Sequence, residues 1–104
     1  MVITIEKIRE AAIEIANANG ATLALLFGSY ARGTATERSD VDLIFVEETT
    51  LRFLDRLSRY QDILIDRLST SVETLVYTPA EFERMKDGGF VGQAVREGIV
   101  LYEH

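Results

Sequence analysis

Apolar positions along the chain follow two alternating periods. From Ile5 to Ala18 the residues Ile5, Ile8, Ala12, Ile15 and Ala16 fall on one helical stripe, with Thr4 as N-cap and Asn19-Gly20 as the stop. Thr22 to Phe27 is a continuous apolar run ending at Gly28, the pattern of a buried strand. Ser29 to Arg32 suits a short helix and Gly33 to Ser39 a polar loop. Val41 to Val46 reads as a second strand, closed by Glu47, Glu48, Thr49 and Thr50, with the acidic pair as a solvated strand end.

Leu51 to Leu68 carries Phe53, Leu57, Tyr60, Leu64 and Leu68 at helical spacing and predicts one amphipathic helix crossing back over the sheet, its stripe turned to the core. Ser71 to Tyr77 is a third strand. Thr78, Pro79 and Glu81 form a capping-box signature for a helix to Lys86. Phe90 to Arg96 makes another helix, ended by Gly98, and Ile99 to Tyr102 a terminal strand. This order predicts an α/β (α+β) fold, a small mixed sheet with helices packed mainly on one face.

Composition narrows the class. The 104 residues, 47% hydrophobic, match one domain spanning 1–104, and no repeat or linker divides them. Cysteine is absent, so disulfides, thiolate metal sites and a cysteine nucleophile are excluded. The N-terminus alternates apolar and charged residues, unlike a signal peptide, and no run approaches the roughly 18 apolar residues of a membrane span. A cytoplasmic protein without a membrane contact is expected. A net charge of -6 argues against a direct DNA or RNA footprint. It leaves room for a nucleoside triphosphate that arrives with its own cation.

Candidate chemistry lies where the first two strands meet their loops. Asp40 and Asp42 are two apart at a strand start, so their carboxylates share a face, about 6 to 7 Å apart along the backbone. Glu73, near the start of the third strand, is a candidate third acid. An all-oxygen set of this kind favours magnesium, manganese or calcium. Upstream, Gly28-Ser29 sits where a buried strand turns into a short helix, so that backbone amides and a hydroxyl can receive phosphate oxygens. Either feature alone is an ordinary turn or a pair of surface acids. Four specified residues at fixed spacing arise by accident in on the order of one such chain in a thousand.

Arg32 and Arg38 flank the loop as candidate phosphate clamps, Arg38 the weaker of the two. Tyr30 reads as a packing residue. His104, the only histidine, is terminal and an improbable catalyst.

The stretch GSYARGTATERSDVDLIF, Gly28 to Phe45, resembles the signature of the minimal nucleotidyltransferase (MNT) family within the DNA polymerase beta superfamily. The family pattern is Gly-Ser, a nearby Gly, then Ser-Asp-x-Asp and apolar residues; Gly28, Ser29, Gly33, Ser39, Asp40, Asp42 and Leu43 supply it. VETLVYTPAEF and REGIVLYE extend the likeness more weakly. The resemblance implies the nucleotidyltransferase fold, with Asp40, Asp42 and Glu73 as catalytic, metal-holding acids. Gly28, Ser29, Arg32 and Ser39 would lie at the nucleotide. Glu73 stands where aspartate is more usual, one methylene longer.

It further implies two Mg2+ ions, ATP as substrate, and a HEPN-type ribonuclease toxin as partner, adenylylated on a hydroxyl while this chain acts as antitoxin within a homo- or hetero-oligomer. Two other roles are an antitoxin that neutralises by binding alone, and the catalytic subunit of a small-molecule nucleotidyltransferase.

Overall fold

In the computed structural model, which describes residues 2–104, four strands form one sheet in the order β3-β2-β1-β4. The chain runs α1 (Ile5–Asn19), β1 (Leu23–Phe27), α2 (Gly28–Arg32), β2 (Val41–Val46), a 3-10 helix (Phe53–Arg59), α3 (Gln61–Leu68), β3 (Val72–Tyr77), α4 (Pro79–Met85), α5 (Gly89–Glu97) and β4 (Ile99–Glu103). Strand β1 is antiparallel to both β2 and β4, whereas β2 and β3 run parallel. A parallel pair needs a crossover. The 3-10 helix and α3 supply it.

Local chemistry sets the boundaries of α1. The Thr4 hydroxyl accepts from the Lys7 backbone N–H at 3.2 Å, and Gly20 closes the helix in the left-handed conformation. Its buried stripe, Ile8, Ala11, Ala12, Ile15 and Ala16, is rich in alanine and so lies close on the sheet. With Tyr60, Leu64 and Leu68 it covers Ala24, Leu26, Leu43, Phe45 and Val76, the alternate residues on one face of the strands. The opposite face has a smaller cover, in which Val91 and Ala94 of α5 pack on Leu25, Ile44 and Tyr77. The larger helical layer thus lies on one face, as expected, and the smaller leaves part of the other open. No helix among the described residues is long and apolar enough to cross a membrane.

Two expectations are corrected. The segment 51–68 is not one helix: Tyr60 departs from helical geometry at φ -132° and ψ -55° and divides it. Continuous helix would place Phe53, Leu57, Tyr60, Leu64 and Leu68 on one stripe. Instead the break buries Tyr60 against Phe45, ring centroids 4.5 Å apart, while Phe53 and Leu54 remain exposed. The same break overturns the solvated reading of Glu47. That residue is buried, paired with Arg59 at 2.5 Å and accepting from the Tyr60 hydroxyl, and only Glu48 is exposed. Burial and the Glu47 carboxylate both raise the Tyr60 pKa, so its proton stays in place.

A second polar lock joins the crossover to α4. Buried Arg56 donates to both oxygens of Glu81, at 2.7 and 3.2 Å, and to the Val76 carbonyl at 3.0 Å. Glu81 also completes the expected capping box with Thr78. These bonds, Arg56 foremost, hold the Glu81 carboxyl down at about 2. A depressed carboxyl stabilises the fold above its ordinary pKa and loses that contribution as pH falls toward the folded value. Glu81→Gln should therefore cost about 1 to 2 kcal/mol near neutrality. In urea melts at stepped pH the gap to the wild type should narrow below about pH 4.5; a gap independent of pH would refute this assignment.

Candidate active site

The carboxylates gather at one end of the sheet because of strand register. Antiparallel pairing sets Phe27, the last residue of β1, opposite Asp42 of β2. Parallel pairing sets Asp42 opposite Glu73 of β3. Phe27, Asp42 and Glu73 therefore form one row across three strands, on the face that α5 only partly covers. Asp40 immediately precedes β2 and faces, with Glu73, an open groove of about 700 Å³ beyond the start of β3.

Gly28 begins α2 directly after Phe27, at φ 74°. A Cβ on Gly28 would stand 2.2 Å from the Asp42 Oδ2 and 3.1 Å from its Cγ. Glycine is thus required twice, for the left-handed turn and for the approach of the carboxylate to the backbone. Ser29 follows in the first turn, half-buried beside the acids. Gly33 closes the short helix at φ 77°.

The electrostatics follow from this crowding. The Asp42 carboxyl is pushed up to about 6, first by burial, then by the charges of Glu73 and Asp40, with Arg32 opposing them. Arg32 is itself steered by Glu97 of α5, at 3.7 Å. An all-oxygen cluster with this much unrelieved negative potential fits a hard divalent cation. Among the described residues, however, no three acid, imidazole or thiol side chains converge into a ready-made metal nest. Asp42 lies opposite Glu73 on the neighbouring strand, and Glu73, exposed on that edge strand, also faces the groove that Asp40 lines.

The remaining candidates separate by role. The Ser39 hydroxyl accepts from the Thr36 backbone N–H at 2.8 Å and so shapes the loop that delivers Asp40. Arg38 is exposed in that loop. Tyr30 is buried, the packing role expected of it, and its hydroxyl accepts from the Ile3 N–H at 3.4 Å. His104 is exposed at the far end of β4.

The sequence reading missed Phe27, Gln61 and Phe90. With Asp42, Glu73, Leu57 and Leu75 they line a cleft of about 450 Å³. Phe27 reads as a strand end, Phe90 as one apolar residue of a helix, and Gln61 lies within the segment expected to be continuous helix. Only the pairing of the strands brings them to one place.

Comparison with known proteins bears on the family and the fold. The family described as polymerase beta, nucleotidyltransferase matches residues 7–104. A protein of Methanocaldococcus jannaschii, named as a protein adenylyltransferase, is 31% identical over 78 residues, 75% of this chain and 75% of that one. A chain from a toxin-antitoxin complex with AMP-PNP superposes with TM-score 0.70 at 24% identity, over 92% of this chain and 73% of that one. A chain from the complex of a tri-AMPylated Shewanella oneidensis HEPN toxin with its MNT antitoxin gives TM-score 0.61 at 21% identity, over 92% and 70%. These two superpositions establish the shared fold.

Two outcomes test the site. Gly28→Ala should destabilise by about 2 to 4 kcal/mol, combining left-handed strain with the clash on Asp42. In an Asp42→Ala background its cost should fall to the strain alone, about 1 to 2 kcal/mol. Additive costs in denaturant melts would disprove the contact. Separately, a raised carboxyl pKa contributes stability below its unfolded value that is lost as pH rises through about 6. Metal-free Asp42→Asn should then be more stable than wild type at pH 8, by on the order of 1 kcal/mol after solvent screening, and gain nothing at pH 4.

Proposed function

The chain belongs to the polymerase beta nucleotidyltransferase family, and on that premise we propose that it transfers AMP from ATP to a hydroxyl of a partner protein, a HEPN-type toxin for which it acts as antitoxin. The observation that carries this reading is the row Phe27, Asp42, Glu73 with Gly28 drawn against Asp42. The Gly28–Ser29 turn lies on one side of the Asp42–Glu73 pair and an open groove on the other, an arrangement that supports phosphate binding at the turn and entry of an acceptor by the groove. The relative named as a protein adenylyltransferase supports a protein acceptor, and the AMPylated HEPN complex sharing the fold supports the partner's class.

Each residue has a distinct task in this reaction. Backbone amides at Gly28 and Ser29, with the Ser29 hydroxyl, receive the trailing phosphates, and Arg32 clamps them from α2. Asp40 and Asp42 would hold magnesium, with two ions expected from the family resemblance. A divalent cation bound there supplies charge screening on the attacking and leaving oxygens. Glu73 orients the acceptor hydroxyl and takes its proton, the hydroxyl oxygen bonds to the α-phosphorus, and pyrophosphate leaves. Ser39 acts at one remove, bracing the loop before Asp40.

The trial is incubation of the co-expressed chain and HEPN partner with magnesium and ATP labelled at the α-phosphate. Label should appear on the partner, with one AMP added per site by intact mass, and chelation should abolish it. Asp40→Asn or Asp42→Asn should slow transfer by on the order of a hundredfold or more. Tight association with an unlabelled partner of unchanged mass would reject transfer in favour of neutralisation by binding.

A further inference from the structure

The reactive carboxylates account for the phosphate end of a nucleotide but not for its base. Two clefts meet at the Phe27–Phe90 pair, whose rings make an edge-to-face contact with centroids 5.4 Å apart. One, about 180 Å³, contains Gly28, Arg32, Gln93 and Glu97. The other contains Asp42 and Glu73 at one end and the apolar Leu57 and Leu75 elsewhere on its wall. The same two aromatic rings line both.

Phe90 leaves 58% of its surface exposed. A lone exposed phenylalanine means little. Here Gly89, at φ 60°, turns the chain into α5 and places Phe90 in its first turn, and Phe27, adjoining Gly28, braces the ring. The result is a held aromatic surface next to the phosphate-binding turn.

Gln61 supplies an oriented amide on that wall, beside Thr74. Its Oε1 accepts from the Thr74 backbone N–H at 3.1 Å and from the Thr74 hydroxyl at 2.8 Å. A backbone N–H can only donate, so the amide cannot be reversed. Its Nε2 donates to no described residue, and the side chain stands where this cleft meets the groove beyond the start of β3, lining both.

We propose that Phe90, backed by Phe27, is the nucleobase platform of this site, stacking a purine in the cleft that holds Asp42 and Glu73, with Gln61 donating to the ring edge. The assignment rests on the nucleotidyl-transfer reading. It divides the substrate between the two clefts, with the trailing phosphates beside Gly28 and Arg32, the reacting phosphorus at Asp42 and the base against the apolar wall. A purine offers more stacking area than a pyrimidine, and ring-nitrogen acceptors for an amide donor.

The chain has no tryptophan, so fluorescence of 2-aminopurine riboside triphosphate, titrated with magnesium, reports stacking without background. Wild type should bind and quench the probe. Phe90→Ala, with melting temperature unchanged because the ring lies mostly outside the core, should weaken binding about tenfold and remove most of the quenching. Phe90→Tyr, which keeps a stacking ring and adds no tryptophan, should restore both. Gln61→Glu, which keeps the acceptor for Thr74 and loses the donor, should weaken the probe severalfold with quenching retained. CTP, displacing the probe, should be weakened less than twofold by Phe90→Ala, an expectation on the order given by stacking alone. Unchanged affinity and quenching in Phe90→Ala would overturn the platform and leave the nucleotide site standing. Failure of the wild type to bind any triphosphate would overturn the transfer reading with it.

Discussion

The missing side chain at Gly28 is the constraint on which the site depends. The antiparallel register of β1 and β2 brings Asp42 across from Phe27, and the chain must turn immediately afterwards. Any Cβ at that turn would occupy the space of the Asp42 carboxylate. Glycine lets backbone and carboxylate share it, so that in the proposed reaction a phosphate at the turn would be within reach of the acids. The same contact keeps Asp42 half-buried and contributes to its raised pKa. Stability is given up where binding is gained.

That loss is tolerable because the sheet is anchored at its opposite end. Strand β2 is buried throughout except at Asp42, and beyond Val46 the chain is fixed by Glu47 with Arg59 and Tyr60. The crossover to the parallel strand β3 is pinned by Arg56 on Glu81 and on the Val76 carbonyl. Each lock buries one charge, Glu47 in the first and Arg56 in the second, against a partner that keeps contact with water, and the buried charge is favourable only while that partner is present. They fix the β2–β3 register. A slip of one residue would turn Glu73 to the other face, away from Asp42.

Much of this was legible in the sequence, for reasons that are local. The Thr4 and Thr78 caps, the glycine stops and the apolar run of β2 report on neighbours within four residues, and the structure keeps each of them. The meeting of Gly28 and Asp42 was legible because the two flank one hairpin-like connection. The division of segment 51–68 at Tyr60 was not. Helical periodicity is blind to the partners that make a break favourable, Phe45 and Glu47 among them, which lie more than ten residues away in sequence. For the same reason Glu47 read as surface, and Phe90 as one more apolar position of a helix. Its proximity to Phe27 exists only after β1, β3 and α5 have assembled.

The sides of the site differ in a way that bears on what it can modify. Toward β1 it is narrower: α5 packs on the sheet, and Glu97 of α5 lies 3.7 Å from Arg32 across a small cleft beside Gly28. Toward β3 it is open, because β3 is an edge strand, Glu73 is exposed and the groove beyond it is wide. In-line displacement requires the entering oxygen opposite the leaving pyrophosphate. With phosphates on the β1 side and the base in the cleft over β3, the acceptor of the proposed reaction enters by the open groove beyond the start of β3, which Asp40 and Glu73 face. A small free acceptor would find little there to enclose it, since such ligands are bound mainly by burial. The open edge therefore suits an acceptor that brings its own binding surface, and the specificity for it resides in the contact between the two proteins.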